Sequence, residues 1–153
     1  MRKVIIILLA LFSFILTGCS NTAEESSEEI NIPTLKVTYN EENISVEKGG
    51  YQWTVKLGPF ILKQVIADSA SPDQIAEKMK GNEVPSHGEL KLSFSRKPNK
   101  VTVVDWSTVK DNSYTFDDNT IIVPKEKGTY IYEIIGYWDE GQVSYTIKVI
   151  VNS

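Results

Sequence analysis

Beyond residue 33, apolar residues recur at every second position through most of this chain, and that period commits it to β-strands. Leu35, Val37 and Tyr39 alternate with Lys36 and Thr38. Tyr51, Trp53, Val55 and Leu57 alternate with Gln52, Thr54 and Lys56, and Leu90, Leu92 and Phe94 with Lys91, Ser93 and Ser95. Successive strand side chains point to opposite faces, so each run offers one face to a core and one to solvent. Residues 101–106 and 120–123 are shorter β-branched runs, and 60–66 predicts another strand. Turn formers divide the runs at Lys48-Gly49-Gly50, Gly58-Pro59, Lys97-Pro98-Asn99 and Asp117-Asp118-Asn119. These spacings predict an all-β antiparallel sandwich, a single domain over 33–153 long enough to bury a core without disulfides.

SPDQIAEKMKG (71–81) breaks the alternation. Ser71 is a cap, Pro72 suits the first helical position, Gln74 follows the cap by three residues and Gly81 is a stop, which predicts a short helix at about 72–80. Ile75 and Met79 give it a narrow apolar stripe, so it is expected to lie on a sheet. The closing run TYIYEIIGYWDEGQVSYTIKVIV (129–151) predicts a hairpin. Pairing Tyr130, Tyr132, Ile134 and Gly136 with Val151, Val149, Ile147 and Tyr145 makes one apolar face and sets Glu133 opposite Lys148. A one-residue slip would mix the faces, so the loop is expected to be even-numbered, either Glu140-Gly141 or residues 139–142. The other face then carries Ile131, Ile135, Tyr137 and Ile150. Those groups need a cover, from the helix or the 60–66 strand, or else they dock a partner.

The first residues carry an address. Arg2 and Lys3 precede thirteen residues, 4–16, interrupted only by Ser13, and then the small residues Thr17 and Gly18. That is the layout of a secretory signal, and the run is too short to span a bilayer. Leu16-Thr17-Gly18-Cys19 resembles the lipobox of bacterial lipoproteins, in which a diacylglyceryl group is attached to the cysteine sulfur and the chain is cut just before it. The resemblance implies a signal peptide over 1–18 and a membrane anchor on Cys19, the only cysteine. Two acyl chains on that sulfur give stable anchoring where one is marginal. Residues 19–32 include Glu24, Glu25, Glu28 and Glu29 and little that could pack, so they read as an acidic disordered spacer. Without Arg2 and Lys3, fourteen basic residues face twenty acidic ones, a net −6. That disfavours nucleic acid as a partner and offers no broad basic surface for anionic lipid or wall polymer.

KGTYIY (127–132) resembles the start of an immunoglobulin-type strand F. The resemblance implies that Tyr130 is a tyrosine corner whose hydroxyl returns to the backbone upstream, with Tyr132 standing where antibody domains place a cysteine. The fold expected is therefore an immunoglobulin-like sandwich. YQW, ADSASP and the closing hairpin also resemble small uncharacterised lipoproteins of Bacillus-like bacteria, a likeness that implies no activity. GGYQW (49–53) resembles the G-Y-x-W element of chagasin-type peptidase inhibitors, although that family's N-P-T-T run, glycine-rich loop and R-P-W loop are absent.

Catalytic signatures are sparse. Ser107 with Lys110, and Ser45 with Lys48, match S-x-x-K, but neither pair opens a helix and the companion motifs KTG and SDN are missing. His87, the single histidine, lies in a turn between proline and glycine. Asp111, Asp117 and Asp118 lack the glycine and terminal glutamate of a calcium loop. No enzyme, cofactor or metal is expected. Trp106, Tyr137 and Trp138 form the candidate binding surface, because tyrosine and tryptophan at a sandwich end suit recognition. The function expected is a non-catalytic binding module held by Cys19 on the extracytoplasmic face of the cell membrane, with a protein or cell-envelope partner; the alternatives are a peptidase inhibitor or, less favoured, a hydrolase. Replacing Cys19 by alanine should abolish both fatty-acid incorporation and cleavage after Gly18. Metabolic labelling with palmitate checks this, and normal incorporation would exclude the anchor.

Overall fold

Each alternating run forms a strand with its larger apolar members inward. The structure, a computed structural model, describes residues 30–107 and 115–152, so Cys19, the lipobox-like run 16–19 and most of the segment 19–32 expected to be a spacer lie outside the described residues. In chain order the elements are β1 (Leu35–Tyr39), β2 (Glu42–Ile44), β3 (Val46–Gly58), β4 (Ile61–Ala67), α1 (Pro72–Glu77), β5 (Asn82–Pro85), β6 (Glu89–Phe94), β7 (Lys100–Asp105), β8 (Thr115–Asp117), β9 (Thr120–Ile122), β10 (Gly128–Trp138) and β11 (Gly141–Asn152). Two sheets result, ordered β2-β1-β6-β9-β8 and β4-β3-β11-β10-β7, with β5 running parallel to the end of β11. Within them β1-β6-β9-β8 and β11-β10-β7 follow the A-B-E-D and G-F-C order of a constant-type immunoglobulin domain. The domain is an all-β, immunoglobulin-like antiparallel sandwich with one short helix in a connection. The elements from β2 to β5 form an insertion between the first two strands of that plan.

The core forms between the inward faces. Val37, Leu90 and Ile121 of one sheet and Tyr132, Ile134 and Ile147 of the other are all fully buried. Tyr130 is the tyrosine corner: its hydroxyl donates to the Glu126 carbonyl at 2.8 Å, and its ring stacks on Tyr132 with centroids 6.4 Å apart. Tyr132 fills the space that a cysteine occupies in antibody domains. Burial also pushes the Tyr145 phenol above its ordinary range, and its hydroxyl donates to the Pro33 carbonyl at 2.7 Å. That bond pins the start of the domain to the core.

The closing hairpin keeps the expected faces but not the expected partners. Tyr130 pairs with Val149 and Trp138 with Gly141, so the two-residue turn is Asp139-Glu140, and Glu133 lies opposite Thr146 while Lys148 lies opposite Ile131. The even loop preserves the faces, and the register moves by two. The reason is Gly141. A Cβ there would lie 1.9 Å from the Gln52 carbonyl oxygen, so this glycine serves the close approach of β3 and stands in the ladder instead of the turn. Lys148 turns to the helix, its ammonium donating to the carbonyls of Ala76 at 2.9 Å and Met79 at 3.3 Å.

Those bonds also show why α1 is shorter than expected. Gln74 accepts the Ser71 N–H at 3.4 Å, as a capping residue should, but the other end tightens: Lys78 and Met79 bond back only three residues, to Ile75 and Ala76. Pro72, Ala76 and Met79 are its buried face. The helix lies against β10 and β11, and Ile150 meets the connection at Gly81. The 60–66 strand covers nothing, because β4 is an edge strand of the same sheet. Tyr130→Phe should lower the unfolding free energy by about 1 kcal/mol without changing the fold, since it deletes the hydroxyl bond to the Glu126 carbonyl. Urea denaturation of the two proteins measures the difference.

Candidate functional site

The Asp139-Glu140 turn marks one end of the sandwich, and β3 does not stop there. Its last partner on β11 is Gly141, opposite Trp53, and the Thr54 N–H donates to the Glu140 carbonyl at 2.8 Å. Past that point the ladder continues only between β3 and β4, through Val55 with Lys63, Lys56 with Leu62 and Gly58 with Ile61. At ~3.3 Å per residue this two-stranded arm projects roughly 15 Å. With no sheet opposite, its apolar side chains have nothing to pack on. Phe60 is 98% exposed, Leu57 48%, Ile61 59% and Leu62 66%.

The base of the arm is fixed firmly. Arg96 forms a two-pronged ion pair with Glu140, both contacts at 3.0 Å, and its guanidinium lies 4.9 Å from the Trp53 ring centroid. Asn99 bridges to Asp139 at 2.7 Å. The chain enters the sandwich at this same end, where Thr34 and Ser95 exchange bonds of 2.9 Å.

A second feature lies on the outer face of the larger sheet. One hollow of about 330 Å³ is lined by Gln52, Ile66, Glu133, Ile135, Gln142 and Ser144, among others. A second of about 320 Å³ adds Thr54, Gln64 and Tyr137 and shares Gln52 and Gln142, so the two make one shallow polar trough. Glu133 is held within it, one oxygen accepting from Ser144 Oγ at 2.7 Å and the other from Trp106 Nε1 at 2.9 Å. The trough lies clear of the α1 end of the face. Ile131, Ile135, Tyr137 and Ile150 are accordingly half-buried, neither core nor fully open.

The three aromatics expected to share one surface do not. Trp138 is a core residue, 8% exposed, with its ring edge-on to Trp53 and Phe94 and its Nε1 donating to the Arg96 carbonyl at 3.1 Å. Strand parity decides this, because Trp138 shares the inward face with Tyr130, Tyr132 and Ile134. Tyr137, one residue earlier, faces outward into the trough with the Lys100 ammonium 5.5 Å from its ring centroid. Trp106 is 40% exposed but lies beside Ile131, at the opposite end of β10 from Trp138. The exposed arm, in contrast, escaped the sequence reading. Its alternation looks like that of any half-buried strand, and only the shorter reach of β11 leaves it bare.

Other candidates serve structure. The Ser107 hydroxyl donates to Asp105 and accepts the Ile131 N–H at 2.9 Å, which ties down the end of β7. Lys110 and Asp111 lie outside the described residues. Lys48 is in β3 over the Tyr51 ring, and Trp53 of the GGYQW run is buried. His87 is exposed in a turn at φ 59°. Among the described residues no three His, Cys, Asp or Glu side chains gather as metal ligands.

No protein-family model, curated protein or solved structure matches the chain. The surface itself therefore carries the functional reading. Because the arm side chains touch so little, the triple change Leu57→Ser, Phe60→Ser, Leu62→Ser should shift stability by no more than about 0.5 kcal/mol. The same variant should lose most binding of an apolar fluorescent dye. Denaturation and dye titration together check that the patch is surface and not core.

Proposed function

We propose that this protein is a lipoprotein anchored through Cys19 to the extracytoplasmic face of the cell membrane, and that its domain works by binding and not by catalysis. The observation that carries the reading is the apolar arm. Soluble domains seldom leave a contiguous patch such as Leu57, Phe60, Ile61 and Leu62 bare, and where they do it marks an interaction site. The lipobox at 16–19 supplies the address, and the trough beside the arm adds a polar surface on which a partner can also be held.

A second reading, peptidase inhibition, draws on the same end of the domain. The arm, the Arg96–Asn99 connection and the Asp139-Glu140 turn gather there, as inhibitory loops would. Binding of the full-length protein to isolated cell envelopes, with and without the triple serine change in the arm, tests the first reading. A loss of at least tenfold at unchanged stability is expected, and equal binding would remove the arm from the function. Inhibition of a papain-type peptidase that survives the arm change would favour the second reading.

A further inference from the structure

The geometry points to a partner for the arm: we propose that its tip inserts into the interfacial layer of the anionic bilayer to which the protein is tethered. This rests on the binding reading above and names the surface that is bound.

Three observations converge. The tip is apolar and the collar behind it is basic. Leu57, Phe60, Ile61 and Leu62 are exposed, and the next two rungs pair Lys56 with Leu62 and Lys63 with Val55, so a lysine stands on each face of the ribbon. An apolar tip with cations one rung behind suits a lipid interface, where the tip reaches the acyl boundary and the ammonium groups meet phosphate. The second observation is where the chain enters. Pro33 and Thr34 are bonded to Tyr145 and Ser95 at the end of the sandwich past which the arm projects, so the domain begins at the arm's end. Thirteen residues, 20–32, separate Cys19 from Pro33, and any chain of that length would, as a coil, span on the order of 20 Å, comparable with the roughly 15 Å that the arm projects. An acylated Cys19 would therefore place the tip within reach of headgroups.

The third observation is local charge. The chain is acidic overall, but the arm, residues 54–64, carries Lys56 and Lys63 and no acidic side chain. Asp117, Asp118 and Asp139 lie at the same end of the sandwich, so the positive charge belongs to the arm alone. Net charge hid this local excess. The tether glutamates oppose close approach to an anionic surface, so the apolar tip supplies the contact and the lysines set the lipid preference. Each lysine brought to an anionic surface strengthens binding about fivefold.

The test uses the full-length chain with Phe60→Cys, reconstituted in vesicles of phosphatidylcholine with or without phosphatidylglycerol. Acylation consumes Cys19, so an environment-sensitive fluorophore reports position 60 alone, and Glu42→Cys, on the exposed β2 at the opposite end of the sandwich, serves as the far-end control. The expected result is a blue-shifted probe at 60, quenched by nitroxide lipids labelled near the headgroup, while the probe at 42 responds to aqueous iodide. Lys56→Glu with Lys63→Glu should cut the quenched fraction at least tenfold on phosphatidylglycerol and much less on phosphatidylcholine. If the acylated protein leaves probe 60 as open to iodide as probe 42, the insertion is refuted and the anchor stands. A probe shielded from iodide but unquenched by lipid, with a photocross-link to protein at position 60, refutes it in favour of a protein partner. If palmitate is not incorporated, the anchor reading fails by itself. Flotation of the unacylated chain with the same vesicles then decides the arm, co-flotation that requires Phe60 supporting it and its absence refuting it.

Discussion

The indole of Trp138 closes the sandwich at the end where the candidate surface lies. It meets Trp53 and Phe94 edge-on, at centroid distances of 5.7 and 5.8 Å, and so joins the two sheets without a disulfide. Room for it comes from Gly136, where a Cβ would sit 2.4 Å from the ring. Arg96 then lies over Trp53, accepts the Trp138 N–H on its carbonyl and pairs with Glu140. The exposed ion pair contributes at most about 1 kcal/mol, whereas each aromatic contact adds about as much beyond its buried area. Aromatic burial therefore dominates, and the arginine orders the surface above it. The arm leaves the domain from this locked base, which lets a ribbon of two strands, marginal alone, keep its direction.

The insertion between the first two strands of the immunoglobulin plan divides the outer face of the larger sheet. Its helix lies toward one end, held by the Lys148 ammonium on the carbonyls of the last turn, a favourable place for a cation. Its hairpin extends the sheet at the other end and passes beyond it. Between them remain the trough and the half-buried row of Ile135 and Tyr137. One inserted segment thus supplies a cover, a trough wall and an arm. The seven strands of the underlying sandwich serve chiefly to hold these in place.

An acidic chain can still present a basic arm. Charge summed over a sequence bears on solubility and long-range steering, but contact with a surface depends on the few residues at the point of approach. Lys56 and Lys63 flank the tip because strand pairing places them across from Leu62 and Val55, on the two rungs that follow Gly58 with Ile61.

Strand existence, the helix start and the inward faces of the closing hairpin were legible in the residues, because period two and capping chemistry are local properties. The tyrosine corner was legible for the same reason, since Tyr130 reaches only four residues upstream. Pairing partners were not. Gly141 reads as a turn glycine until β3 is seen pressed against it, and Glu133 and Lys148 read as a cross-strand pair until Trp106, Ser144 and α1 offer them other partners. Trp138 and Tyr137 differ by one residue, and the parity that separates core from surface was already implied by the hairpin pattern. The arm is the opposite case. Nothing in its alternation distinguishes it from a buried strand, because exposure depends on where the neighbouring strand ends. Local chemistry determined which segments are strands and which way they face; only the tertiary structure decided which of those faces meet another sheet and which are left to meet something else.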